Sequence, residues 1–309
     1  MALRQLHSMS PCSKYTTQSH SVPLNISTGY KLKNFLEVFC FSHIFTEAII
    51  FYIKMEIESV LITGANRGIG LEIVKQLVNL PKPPRLLFAT YRDKSTVQAL
   101  EEIRDSSKQT QILLIQMDIT NSKDIESARK TVEDLVGAKG LDLLINNAGV
   151  LKTEGFPEIA GENMLYHFST NTVGPVMVLK EMFPLLQRSV AHKTTETDVF
   201  RTTVLNLSSL GASMGKMRVE NPDKWLQGLG YRTSKAALNM AMRMIACTMK
   251  DSGVLMVNLC PGWVKTDMGS NAADLEVSES VSAIFKTLSQ LNDSHHGAFI
   301  DRNGKTIPF

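Results

Sequence analysis

Short apolar runs alternate with amphipathic segments along the chain from Glu58 onward. Runs such as SVLIT are apolar throughout, which predicts strands at Ser59–Thr63, Arg85–Thr90, Gln111–Met117, Leu141–Ile145, Thr203–Leu207 and Leu255–Leu259. Helical spacing predicts a long helical region around Asn171 and helices at Ile69–Leu80, Ser95–Asp105, Ser122–Val136 and Tyr231–Met249. Apolar strands separated by helices are typical of a parallel sheet that helices cover on both faces. The pattern therefore predicts one doubly wound α/β domain.

The first 54 residues do not follow this alternation. They are rich in Ser and Thr up to Tyr30, and residues 34–53 form an apolar stretch interrupted by Glu37 and Glu47. Each buried acid would cost about 2–3 kcal/mol in a bilayer, so we expect no membrane span here. We expect 55–309 to be the domain, and 1–54 to be an N-terminal extension: a disordered or targeting leader, or a stretch that precedes a native start at Met55. A cytoplasmic protein is expected, with a mitochondrial location as the alternative if the leader is real.

The charge balance adds little to this picture. The 309 residues carry 33 basic and 30 acidic side chains, and the excess belongs entirely to residues 1–54, since 55–309 hold 28 of each. A nucleic-acid or acidic membrane partner is therefore not expected for the domain. The four cysteines form no CxxC pair and lie near no histidine cluster, so neither a disulfide framework nor a metal site is expected.

A glycine-rich segment, TGANRGIG, follows the first predicted strand directly. Gly64 permits a tight turn, while Gly68 and Gly70 allow the backbone to approach a pyrophosphate and the helix to pack on the strand. The N–H groups at the start of the following helix can bind the phosphates. This predicts a Rossmann-type dinucleotide site with the candidate residues Gly64, Asn66, Arg67, Gly68, Ile69 and Gly70.

The charge at the end of the second predicted strand favours one dinucleotide. Arg92 stands where the residue that reads the adenosine ribose is expected, and Arg67 lies in the glycine loop on the same side. Two guanidinium groups can bind a 2′-phosphate through paired hydrogen bonds. Asp93 is the opposing signal, because an acidic residue at this strand end binds a free ribose hydroxyl. The sequence favours NADPH (NADP) over NADH as the cofactor.

Four motifs stand in a fixed order along the chain: Thr63–Gly70, the NNAG segment Asn146–Gly149, the YxxxK pair within Tyr231–Lys235, and Pro261–Thr266. In this order they resemble the short-chain dehydrogenase/reductase family, over about Met55 to Phe309. Within that family, YRTSKAALN and PGWVKTDMG resemble the carbonyl reductases of the sniffer and C-factor-like group.

The chemistry of the YxxxK pair is consistent with that resemblance. A free tyrosine, with a pKa of about 10, is a slow acid at neutral pH. Lys235 lies one helical turn beyond Tyr231, so both side chains emerge on one face. An ammonium there, together with the cationic oxidised nicotinamide nearby, would lower the tyrosine pKa. The resemblance implies that Tyr231 is the acid–base and that Lys235 tunes it and holds the nicotinamide ribose. It also implies that Asn171 opens its helix locally and helps to hold a water that relays protons to the lysine.

Two serines, Ser208 and Ser209, follow the fifth predicted strand. The resemblance implies that Ser209 orients the substrate carbonyl, although the two roles can also be reversed. The 21 residues Leu210–Gly230 separate Ser209 from Tyr231, where about a dozen are usual in the family. We expect this insertion to shape the substrate pocket, with Trp225 as a candidate wall.

The remaining cofactor contacts are implied by the same resemblance. Asn147 and Gly149 are expected beside the adenosine ribose, and Asp118 and Ile119 beside the adenine. After the sixth strand, Thr266 and the backbone of Val264 are expected to bind the nicotinamide carboxamide.

The sequence predicts NADPH-dependent reduction of a small-molecule aldehyde or ketone by hydride transfer. Two alternatives stay open: a dehydrogenase that oxidises a hydroxylated lipid or steroid with the same residues, and a non-catalytic regulator that binds NADPH. Many members of the family form homodimers through the helices that carry Asn171 and Tyr231, so a homodimer is also open.

Overall fold

The computed structural model describes residues 56–193, 200–217 and 227–309. Over these ranges the chain forms a seven-stranded sheet in which all registered pairs are parallel and the strand order is β3-β2-β1-β4-β5-β6-β7. The strands are β1 (Ser59–Ile62), β2 (Leu86–Tyr91), β3 (Gln111–Gln116), β4 (Leu143–Asn146), β5 (Thr203–Leu207), β6 (Leu255–Cys260) and β7 (Phe299–Asp301). The order reverses beside β1, and ligands of doubly wound sheets bind at such a reversal, beyond the carboxyl ends of the strands.

Helices cover both faces of the sheet. They are α1 (Gly68–Val78), α2 (Gln98–Ser106), α3 (Ser122–Val136), α4 (Gly161–Phe168), α5 (Gly174–His192), α6 (Leu229–Thr248) and α7 (Val277–Leu288). Successive strand residues point to opposite faces, so Val60 and Ile62 pack with α1, α2 and α7, while Leu61 packs with α3, α5 and α6. Two buried apolar clusters result, one on each side of the sheet.

The doubly wound parallel sheet is confirmed, and so are all six predicted strands, with their ends shifted by no more than a few residues. The predicted helix Ser95–Asp105 is instead a short 3₁₀ turn, Lys94–Thr96, followed by α2, because the Asp93 carboxylate caps the turn by accepting the Ser95 N–H. The pattern analysis did not identify α7 or β7. The three residues of β7 are too few to show a period.

A third, smaller cluster lies at the carboxyl end of β6. It joins Ala212, which follows β5, to Cys260, Phe299 and Ile307, and the partly buried Phe309 packs against it. The last residues of the sequence therefore pack behind the segment that follows Ser209.

Two sequence-based expectations, the apolar stretch 34–53 and Trp225, lie outside the described residues. Within the described ranges, no helix is both long and apolar enough to cross a membrane. The same ranges contain no group of three or more His, Cys, Asp or Glu side chains placed to bind a metal ion.

Candidate active site

A cleft of about 630 Å³ runs along the carboxyl edge of the sheet. It extends from Arg92 and Asp118 at one end to Tyr231 and Lys235 at the other. Most residues predicted from the sequence line it: Gly64, Asn66, Arg67, Gly68, Ile69, Arg92, Asp118, Ile119, Asn147, Gly149, Tyr231, Lys235 and Thr266. Gly70, Asn171, Ser209 and Val264 are not among the lining residues.

The glycine loop is held from behind by the NNAG segment. The Thr63 hydroxyl accepts the N–H groups of Asn147 and Ala148, both at 3.0 Å, and the Asn147 amide donates to the carbonyls of Thr63 and Gly64, both at 2.8 Å. A side chain at Gly70 would lie 2.5 Å from the Gly64 carbonyl oxygen. Gly70 therefore allows the helix to pack closely on the strand and does not line the cleft. The Asn147 amide is hydrogen-bonded to protein carbonyls.

The loops that follow β1 and β6 meet across the cleft. Gly68 has a φ of 53°, and a Cβ there would lie 3.3 Å from Thr266 Cγ2. Arg67 Nη1 lies 2.7 Å from Asp267 Oδ2, an ion pair between exposed side chains. The absence of side chains at the loop glycines leaves a cradle that a pyrophosphate fits, with α1 behind it to supply N–H donors.

The end of the cleft beyond β2 carries both signs of charge, because Arg92, Asp93 and Asp118 all line it. Arg92 is exposed and lines the cleft. The Asp93 carboxylate accepts the Ser95 N–H at 2.9 Å, and this bond, followed by the Ser95 side chain, lowers the pKa of the carboxyl group. Asp93, the acidic residue that in the sequence argued against NADPH, thus uses its carboxylate to cap a turn.

Tyr231 and Lys235 lie in the first two turns of α6. Lys235 Nζ donates to the Leu207 carbonyl at 2.8 Å, and burial lowers the pKa of this lysine to about 8. A Cβ at Gly149 would lie 3.2 Å from Asn171 Oδ1 and 3.6 Å from Lys235 Nζ, so the glycine keeps these two polar atoms close to the cleft.

The structure shifts the Tyr231 pKa in the direction opposite to the one expected from the sequence. Burial raises the pKa of the phenol, and the opposing contributions come from the Ser209 side chain, as a hydrogen-bond partner, and from the charge of Arg232. Desolvation disfavours a phenolate more than the neighbouring groups of the protein favour it.

The two serines after β5 have different surroundings. Ser208 is buried and its hydroxyl oxygen is enclosed without a hydrogen-bond partner among the described residues. Ser209 is partly exposed; its oxygen accepts the Gly211 N–H at 3.1 Å, and its side chain acts on the Tyr231 hydroxyl. Ser209 is therefore the serine that affects the tyrosine, although Ser208 is the one that lines the cleft, and Ser209 also caps the short turn Leu210–Ala212.

Asn171 lies in a π-helical turn, Ser169–Val173, between α4 and α5, so the expected local opening of the helix is present. Its side chain joins the loop after β4 to α6. Asn171 Nδ2 donates to the Val150 carbonyl and to Ser234 Oγ, both at 3.0 Å, and Oδ1 accepts the Val150 N–H at 2.8 Å. The side chain is thus engaged in positioning these two segments.

Sequence analysis missed three residues near this site. His167 is fully buried; its Nε2 accepts the Lys152 N–H at 3.0 Å, and its ring lies edge-on to Tyr231 with centroids 6.4 Å apart. Asp267 pairs with Arg67, and Arg232 lies beside Ser209. Of the three, only Arg232 and Asp267 could have been found from the sequence, because Arg232 directly follows Tyr231 and Asp267 directly follows Thr266.

The family model described as short chain dehydrogenase matches residues 58–276. The chain belongs to the short-chain dehydrogenase family. Among similar solved structures, the carbonyl reductase Sniffer of D. melanogaster is 34% identical with a TM-score of 0.75, over 82% of this chain and 100% of that one. An NADPH-bound carbonyl reductase from chicken fatty liver is 33% identical with a TM-score of 0.76, over 82% and 94% of the two chains. C-signal of Myxococcus xanthus is 35% identical over 174 residues, 55% of this chain and 93% of that protein.

Proposed function

We propose that this oxidoreductase reduces aldehydes or ketones with NADPH. The observation that carries the proposal is one continuous cleft lined by Arg92 beyond β2, by Arg67 in the glycine loop, and by Tyr231 and Lys235 on α6. The similarity to an NADPH-bound carbonyl reductase supports the same cofactor. NADH is the weaker candidate, because the Asp93 carboxylate caps a turn.

Each part of the cofactor has candidate residues in or beside the cleft. The glycine loop and the start of α1 would hold the pyrophosphate, Arg92 and Arg67 the 2′-phosphate, and Asp118 and Ile119 the adenine. Lys235 would hold the nicotinamide ribose, and Thr266 with the Val264 backbone the carboxamide. When bound, the reduced nicotinamide supplies the hydride that the carbonyl carbon accepts.

The protein supplies the proton and the orientation. Ser209 Oγ donates a hydrogen bond to the substrate carbonyl oxygen, and the Tyr231 hydroxyl donates its proton as negative charge develops there. A buried phenol stays protonated at neutral pH, which suits an acid in the reductive direction. The Lys235 ammonium, present below about pH 8, stabilises the phenolate that remains.

The substrate side of the cleft favours an apolar carbonyl compound. Large apolar side chains are exposed on the loops that follow β4, β5 and β6, and one of them, Met268, lines the cleft; they are Leu151, Phe156, Leu210, Met214, Met217, Trp263 and Met268. Exposed apolar surface of this extent is typical of a binding site. The same surface would also accept a hydroxylated lipid or steroid, which keeps oxidation of such an alcohol as the second candidate.

The test is an assay of NADPH and NADH oxidation with dicarbonyls, quinones and short aldehydes, beside NADP⁺ reduction with steroid alcohols. Oxidation of NADPH by carbonyl compounds is expected to be faster than the reverse reaction with steroid alcohols at neutral pH. Tyr231→Phe should lose about 10²-fold or more in kcat and keep its affinity for NADPH. Wild-type activity in this variant would refute the acid role, and binding of NADPH without turnover of any substrate would favour the regulator.

A further inference from the structure

Arg232 directly follows Tyr231 and lies at the point where the insertion Leu210–Gly230 begins and ends. Its backbone N–H donates to the Gly228 carbonyl at 2.8 Å, which closes the first turn of α6. Its side chain is partly buried, and desolvation lowers the pKa of the guanidinium. The guanidinium thus lies partly out of water beside the candidate acid.

Two glycines approach this side chain closely, one from each end of the insertion. A Cβ at Gly211 would lie 2.9 Å from Arg232 Nη1, and a Cβ at Gly228 would lie 3.3 Å from Arg232 Nε. Neither glycine has a positive φ, so backbone conformation does not require glycine at these positions. The Arg232 side chain therefore fills the space beside both glycines.

The Ser209 hydroxyl, which is proposed to orient the substrate carbonyl, lies beside the same glycine, Gly211. The Gly211 N–H donates to Ser209 Oγ at 3.1 Å, and a Cβ at Gly211 would lie 3.3 Å from that oxygen. Arg232 therefore contacts the turn that holds Ser209, while its own backbone belongs to the turn that holds Tyr231. Arg232 thus lies between the Ser209 turn and the Tyr231 turn.

We propose that Arg232 is a positioning residue that fastens the Ser209–Gly211 turn to the Gly228–Tyr231 turn and so sets the distance between the Ser209 and Tyr231 hydroxyls. The inference rests on the proposed function, since it concerns the pair that would bind the carbonyl oxygen. A lysine would not replace the arginine fully, because a planar guanidinium can lie against both glycines while a single ammonium cannot.

The test is a double-mutant cycle with Gly211→Ala and Arg232→Met. Arg232→Met should lower kcat/KM for the carbonyl substrate at least tenfold and leave the dissociation constant of NADPH unchanged. Gly211→Ala should lower kcat/KM about threefold to tenfold, because its methyl displaces the guanidinium. The double variant should be no worse than Arg232→Met alone, and Arg232→Lys should fall between the wild type and Arg232→Met.

The pH profile of kcat/KM separates positioning from a general loss of structure. The groups around the Tyr231 hydroxyl are Ser209, Cys260 and Arg232, with Lys235 one turn along α6 and the His167 ring beside the phenol. Arg232→Met should raise the apparent pKa assigned to Tyr231, because the charge of Arg232 lowers it in the wild type. The same profile in Arg232→Lys should stay closer to the wild type.

Gly161→Ala is the matched control, since a Cβ at Gly161 meets nothing within 4 Å. Additive effects of Gly211→Ala and Arg232→Met, or a loss of NADPH affinity equal to the loss of kcat/KM, would overturn the proposal. The same cycle measured by urea unfolding does not depend on catalysis. If the unfolding free energies show coupling between the two substitutions but no variant reduces a carbonyl compound, the proposed function is refuted. The contact between Arg232 and Gly211 is then retained.

Discussion

At the cofactor end of the cleft, residues of two recognised motifs hold the glycine loop, whereas at the Tyr231 end the contacts come from residues to which no motif assigns a role. The hydroxyl of Thr63 and the amide of Asn147 fix the glycine loop within two motifs. The Ser209 turn instead contacts Arg232 and, through Gly215, the carbonyl of Phe309. Both ends are joined by contacts between residues distant in sequence, but the first end uses residues of recognised motifs and the second uses residues to which no motif assigns a role.

The two ends also differ in the chemistry that they present. The cofactor end exposes charged side chains such as Arg67 and Arg92, which suit one invariant anionic ligand. The Tyr231 end exposes apolar side chains such as Phe156 and Met214, at 67% of their area each. If the ends are independent, a variant at one end should change the binding of one ligand only. Lys235 is proposed to act on the Tyr231 phenolate and on the nicotinamide ribose, so its replacement should change both catalysis and cofactor binding.

Lys235→Met is expected to have the largest effect. Loss of the ammonium removes the group that stabilises the Tyr231 phenolate and a donor for the nicotinamide ribose, so kcat should fall by about 10²–10⁴-fold and the KM for NADPH should rise. Steady-state kinetics at pH 7 would measure both. The exposed Lys130, which pairs with Glu126 on α3, provides the control Lys130→Met. An unchanged kcat in Lys235→Met would show that the two ends do not meet at this residue.

The same variant should change how stability depends on pH. Burial lowers the pKa of Lys235 to about 8 in the folded protein, while the pKa of a lysine in the unfolded chain is near its ordinary value of 10.5. Between these pH values the unfolded state binds more protons, so this lysine makes the wild type more stable as pH rises through the window. Relative to Lys235→Met, the wild type should gain on the order of 2 kcal/mol in unfolding free energy from pH 7 to pH 10. Urea unfolding at both pH values would measure it, and a constant difference would contradict the buried, shifted amine.

The difference between the two ends also explains what the sequence could predict. The strands, the glycine loop and the NNAG segment were predictable because each uses a local period or residues close in sequence. The engagement of Asn171 with Val150 and the contact of Arg232 with Gly211 depend on side chains brought together by the fold. Periodicity carries no information on such contacts, and the direction of the Tyr231 pKa was wrong because burial is a property of the tertiary structure.

The joint replacement of Arg67 and Arg92 by Met tests the cofactor end alone. Loss of two charged hydrogen-bond donors to the 2′-phosphate should raise the KM for NADPH about tenfold to a hundredfold, with little change for NADH or for the carbonyl substrate. Kinetics with both cofactors would measure the ratio. Arg104→Met, on the exposed surface of α2, is the control. An equal rise for NADPH and NADH would show that these arginines do not read the 2′-phosphate.

Phe309→Ala tests the substrate end and should have the smallest effect. The Phe309 ring lies 5.8 Å from the Phe299 ring and 4.4 Å from the Arg243 guanidinium carbon, and the Phe309 carbonyl accepts the Gly215 N–H at 3.1 Å. Loss of the ring contacts, worth about 1 kcal/mol each, should loosen the segment that follows Ser209. The KM for an apolar carbonyl substrate should rise about threefold to tenfold.

Two further measurements decide whether Phe309 acts on the substrate end alone. The dissociation constant of NADPH, measured by fluorescence titration, should stay at its wild-type value, because no contact of Phe309 reaches the glycine loop among the described residues. Met244→Ala, an exposed apolar position on the outer surface of α6, controls for simple loss of apolar area and should leave both constants unchanged. If Phe309→Ala weakens NADPH as much as it weakens the carbonyl substrate, the two ends of the cleft are mechanically coupled through β6 and β7.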